Sequence, residues 1–145
     1  MSGFPFMKNH FLSLAGASVL LTGLLTGCSS QTSEGPERYA LSGHVKYDGK
    51  PVPRGTISFT PDNAKGNHGP ATLAIIQDGE YRTSGSKGII GGAMVVEISG
   101  SDGIPVELNG ETMESGTELF SAYRMELELP EQSAQQDFEI PKHSN

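Results

Sequence analysis

The chain has no tryptophan, one cysteine, and only 10 basic residues against 17 acidic ones. Each shortage excludes something. One cysteine cannot close an internal disulfide, so the fold rests on its apolar core alone. The acidic balance argues against a nucleic-acid partner and against electrostatic docking on anionic lipid. Without tryptophan, a sugar-stacking surface has only Tyr47, Tyr81, Phe120 and Tyr123 to draw on, which makes a glycan-binding module the weaker binding option. No stretch after Cys28 carries a helical period.

Metal chemistry is equally thin. His44, His68 and His143 fall on an expected strand, a loop and the tail, and no pair has ligand spacing. Asp62, Asp78 and Asp102 sit beside Gly or Asn, where aspartate commonly bonds its own backbone. They do not form the repeated-aspartate loop of a calcium site. No metal or cofactor is expected. The nucleophile elbow G-x-S-x-G is missing. Gly85-Ser86-Lys87-Gly88 is no phosphate loop, since no helix is expected after it. Glu126 and Glu128 share one strand face and read as a wetted surface rather than a carboxylate pair.

What is present begins at the N-terminus. Lys8 supplies a weak basic start, and residues 11–27 then run without a charge. That order is a secretory signal: basic start, apolar middle, small residues before the cut. A retained membrane helix is the competing reading, but ~17 uncharged residues sit at the low limit for a span. The run ends in Leu25-Thr26-Gly27-Cys28, which resembles the bacterial lipobox. The resemblance implies diacylglycerol transfer to the Cys28 sulfur and cleavage just before it. Acylation also removes a lone thiol from an oxidising compartment. The expected partner of Cys28 is thus membrane lipid, and the expected location is the bacterial cell envelope. Ser29, with no aspartate beside Cys28, fits outer-membrane sorting. Cleavage removes Lys8 and leaves 9 basic residues against 17 acidic ones.

The expected organisation is a signal at 1–27, a flexible polar tether at 28–37, a β-domain at 38–141 and a short tail at 142–145. Alternation marks the strands. Tyr39, Leu41, Gly43, Val45 and Tyr47 form one apolar face, and Asp48-Gly49 offers a tight turn. Ile57 and Phe59 follow, with Pro61 as a stop. Ala71, Leu73 and Ile75 open a third strand, and Asp78-Gly79 turns it into Tyr81 and Thr83. Residues 84–92 are glycine-rich and read as a mobile connection. Met94, Val96 and Ile98 form a fifth strand. Ile104, Val106 and Leu108 read as a short strand or a pinned loop, and the acids around Glu111, Glu114 and Glu118 as a solvated loop. Tyr123 to Leu129 and Ala134 to Ile140 complete the pattern, stopped by Pro130 and Pro141. Seven strands, perhaps an eighth, at such spacing indicate an all-β antiparallel sandwich or barrel.

Residues 41–59 (LSGHVKYDGKPVPRGTISF) resemble the opening of carboxypeptidase-regulatory-like, transthyretin-like domains. Asp78-Gly79-Glu80-Tyr81 and Gly91-Gly92-Ala93-Met94-Val95-Val96-Glu97-Ile98 resemble later steps of the same domains. Leu119 to Arg124 and Phe138 to Pro141 are similar to the closing segments of small bacterial lipoproteins that carry them. The resemblance implies a seven-stranded prealbumin-like sandwich and no particular activity. Transthyretin-fold hydrolases of 5-hydroxyisourate are similar at His44-Val45, but they also carry an arginine, a second histidine and a C-terminal Tyr-Arg-Gly-Ser. Here Tyr123-Arg124 runs into Met125-Glu126. The expectation is therefore a non-enzymatic structural or binding module, with an envelope protein or glycan as partner.

Overall fold

A computed structural model describes residues 35–142. The signal, the lipobox with Cys28, most of the tether and the last three residues lie outside the described residues.

The described chain is mostly β, as the alternation predicts. The strands are β1 (Leu41–Tyr47), β2 (Lys50–Pro51), β3 (Arg54–Pro61), β4 (Thr72–Gln77), β5 (Glu80–Arg82), β6 (Gly92–Ser101), β7 (Val106–Leu108), β8 (Glu111–Met113), β9 (Glu118–Leu129), β10 (Ala134–Gln135) and β11 (Phe138–Ile140). Nine of them form one sheet that runs β10-β1-β5-β4-β3-β6-β9, with β2 and β11 also on β1. β7 and β8 pair only with each other. The strand segments outnumber the seven or eight expected because the chain breaks into pieces of two or three residues around β1 and in the β7–β8 arm.

The turns follow from local chemistry. Asp48-Gly49 and Asp78-Gly79 both take positive φ at both residues, which suits the twist of a tight hairpin. Pro61 ends β3 yet still faces Met94, a terminal position where its missing N–H matters little.

One face of the sheet encloses the core. Leu41, Val45, Ile57, Phe59, Ile76, Val96 and Ile98 are fully buried, and the rings of Phe59, Tyr81 and Phe138 meet within it. Val52 and Ile89 enter this core from connections rather than from strands. Burial, and then the charge of Asp137, push the Tyr81 hydroxyl above the ordinary phenol range. That hydroxyl donates to the Gln136 carbonyl at 2.8 Å.

Three expectations need correction. In β4 the core takes Thr72, Ala74 and Ile76, while Leu73 and Ile75 stand 65% and 63% exposed. Residues 84–92 are pinned, not loose: Ile89 is buried, and its backbone exchanges hydrogen bonds with Tyr39 at 2.8 and 3.0 Å. The last strand is split into β10 and β11, and both run parallel to β1, so the architecture is antiparallel except at that closure.

The registers give the domain two distinct ends. Leu41 faces Ala134, Phe59 faces Thr72, and Gly92 faces Leu129 at one end. Tyr47 faces Ile140, Arg54 faces Gln77, and Ser101 faces Glu118 at the other. Arg38 donates to the Gly88 carbonyl at 2.9 Å, so the described chain enters at the first end. The β7–β8 arm leaves from the second, between β6 and β9.

Candidate functional site

His44 is the residue that the hydrolase resemblance singled out. It lies on the outer face of β1 and is exposed. Its Nδ1 is 3.3 Å from Asp137 Oδ1, and its Nε2 is 3.7 Å from Glu80 Oε1. Both ring nitrogens therefore face carboxylates. Among the described residues no hydroxyl or thiol bonds to this ring. His68 sits in the loop after β3, where Nδ1 is 2.9 Å from Asn63 Oδ1. It does not line the groove that contains His44, Ser42, Glu80 and Arg82. Tyr123 and Arg124 lie on β9, at the opposite edge of the sheet. Among the described residues, Arg82 shares a groove with His44, but no second histidine lines it and the Tyr123-Arg124 pair lies elsewhere.

The cluster has a clear structural task. β10 and β11 are interrupted at Gln136 and Asp137, so the ladder along β1 has a gap. The His44 backbone N–H, facing that gap, donates to Asp137 Oδ1 at 2.8 Å. Two residues later in the chain, Glu139 Oε1 accepts from the Gly49 backbone N–H at 2.8 Å. Two carboxylates thereby clasp the closing strand to β1 and to the turn that follows it.

This clasp carries a pH dependence. The bond from the His44 backbone N–H, and next the one from its side chain, hold the Asp137 carboxyl below the ordinary 3.8. A depressed folded-state value contributes stability that is present above the unfolded value and lost as pH falls through the folded one. Wild type should therefore lose stability on acidification from pH 6 to pH 2.5 by more than Asp137→Asn does. Urea unfolding at both pH values measures this; equal losses would remove the clasp from the acid response.

Two shallow grooves mark the outer face of the sheet. One, of about 640 Å³, is lined by Ser42, His44, Gln77, Glu80 and Arg82. The other, of about 400 Å³, is lined by Arg54, Thr56, Ser99 and Glu118. Ile75 and Gln77 belong to both. The aromatics named for a glycan surface do not gather on this face. Tyr81 is buried, and Tyr47 and Phe120 stack on each other with centroids 4.9 Å apart.

The acidic stretch expected as a solvated loop is instead partly strand: Glu111 to Met113 form β8, the second strand of the arm, and Glu118 opens β9. Asn109 and Gly110 both take positive φ and join β7 to β8 in a tight hairpin. Asn-Gly between two alternating runs was the available signal. The base of the arm is fixed. Asp102 Oδ1 accepts from the Ile104 and Thr117 backbone N–H groups at 3.0 and 2.9 Å. Gly116, at φ +76°, lies so close to Asp102 and Ile104 that a Cβ would not fit.

Among the described residues no group of His, Cys, Asp and Glu is placed to hold a metal ion, and no helix is long and apolar enough to cross a membrane. No family model, curated protein or solved structure matches the chain.

Proposed function

We propose that the chain is a lipid-anchored protein of the bacterial cell envelope whose β-domain is a non-enzymatic binding module. The observation that carries the reading is polarity. The described chain enters the domain at Arg38 and Tyr39, on the Leu41 end of β1, and the β7–β8 arm projects from the other end. A lipid on Cys28, ten residues before Arg38, would tether the domain by its entry end and leave the opposite end, with the arm, free. Loops and arms at the free end of a rigid β-scaffold are where such domains place binding. Multiple acyl chains on Cys28 would give firm anchoring, which a single chain does not.

For the fold we infer a prealbumin-like sandwich. β1, β3, β4, β5, β6, β9 and the broken β10–β11 segment supply seven principal strands. β2 then counts as an extension, and β7–β8 as an insertion.

The anchor is tested by metabolic labelling with a fatty acid. Wild type is expected to incorporate label and stay with the membrane fraction, and Cys28→Ser to lose both. Label and membrane retention in Cys28→Ser would overturn the anchor. Enzymatic function is tested with 5-hydroxyisourate. Turnover by wild type that is lost in His44→Ala would replace the binding reading with a hydrolase.

A further inference from the structure

The β7–β8 arm carries an apolar face that the domain leaves largely exposed. Val106 faces Met113 and Leu108 faces Glu111, so these side chains share one side of the hairpin. Ile104 lies just before β7. Glu107 and Thr112 form the opposite side and bond to each other at 3.3 Å. Ile104, Leu108 and Met113 are 65%, 58% and 44% exposed. A lone two-stranded hairpin is marginal in water, and its apolar face gains nothing there. Yet the Asp102 clamp fixes its base, and the Asn109-Gly110 turn fixes its pairing. An arm that is ordered but unburied suits docking, because little conformational freedom is lost on binding.

Charge selects the occupant. From Asp102 to Glu118 there are five acids and no lysine or arginine. Two such arms would repel, which argues against a second copy of this chain. An anionic lipid surface would be repelled too. We infer that the β7–β8 arm inserts Ile104, Leu108 and Met113 into an apolar groove rimmed by Lys and Arg on a partner protein. The inference deepens the binding-module reading and rests on it, but it does not depend on the lipid. Apolar anchors would set the lifetime of the complex, and the acids its association rate.

The test is photo-cross-linking of the full chain in its native envelope. A photoreactive phenylalanine replaces Leu108 in one strain and Ile75 in another. The expected result is an adduct from position 108 with one protein, mapped to a Lys/Arg-rich segment beside apolar residues. With that protein purified, the variant I104S/L108S/M113S should bind at least ~10-fold more weakly. E107Q/E111Q/E114Q should bind more slowly and with little salt dependence. Both variants should melt at the wild-type temperature, which separates lost docking from lost folding. An adduct from 108 only with another copy of this chain, only with lipid, or with an acidic or uncharged surface would overturn the inference. So would unchanged affinity in I104S/L108S/M113S. An adduct from 75 and none from 108 would overturn the arm and leave the module reading standing. Adducts from neither position would remove both.

Discussion

Replacing Phe59 with alanine is expected to cost about 3–5 kcal/mol of folding stability. Phe59 is fully buried on the inner face of β3. Its ring centroid lies 5.8 Å from that of Tyr81 on β5 and 6.3 Å from that of Phe138 on β11. The three rings join strands from across the sheet, so truncation empties the centre of that cluster. The rings cannot collapse freely into the space, because the Tyr81 hydroxyl is tied to the Gln136 carbonyl. A domain of this size is stable by only about 5–15 kcal/mol, and one cysteine in the chain means that no disulfide backs the core. With a urea slope of about 1–3 kcal/mol/M, the unfolding midpoint should fall by more than ~1 M. Ile104→Ala, an exposed arm position, should stay within about 0.5 kcal/mol of wild type. A Phe59→Ala shift as small as that of Ile104→Ala would place the aromatic cluster outside the stabilising core.

The strands whose two faces differ in polarity were legible from alternation. β1, β3 and β6 each set apolar residues against polar or charged ones and lie where the alternation puts them, and β9 contains the expected Tyr123–Leu129 run but starts earlier, at Glu118. β4 was harder because both of its faces carry branched apolar residues. Leu73 and Ile75 outweigh Thr72 and Ala74 by size, but the register with β3 puts Thr72 opposite the buried Phe59. A slip of one residue inverts every side chain, and composition does not resolve it. The pinned 84–92 segment was illegible for another reason. Its order comes from a bridge between Ile89 and Tyr39, fifty positions apart, while everything around Ile89-Ile90 in the segment is glycine, serine or lysine. The parallel closure is also non-local, since nothing in residues 134–140 states which strand they join. At the candidate site, the histidine was visible in the sequence and its two carboxylates were not. Asp137 lies 93 positions from His44, and a gap in the ladder brings them together. The arm was legible only in its Asn-Gly turn, because three-residue strands give alternation little length in which to show.

Gly43→Ala tests that closure most directly, and its sign runs against the usual rule. Alanine in a strand is ordinarily better than glycine by about 0.5–1 kcal/mol. At position 43 an added Cβ would collide with the carbonyl of Gln136, at the break between β10 and β11. A backbone carbonyl cannot rotate aside as a side chain can, so β1 and the closing segment must separate. Separation weakens the Gln136 N–H bond to the Ser42 carbonyl at 2.9 Å, the Tyr81 hydroxyl bond to Gln136 and the Asp137 clasp on His44. Overpacking in a core commonly costs about 1–3 kcal/mol, and a clash with main chain belongs at or above the top of that range. Gly85→Ala is the control, since open space surrounds that position. Gly43→Ala should melt well below wild type, with fast amide exchange concentrated in residues 134–140, while Gly85→Ala should not. If Gly43→Ala melts like Gly85→Ala, β1 and the closing strand do not cross at Gly43. The glycine would then be only one more position on the apolar face of β1.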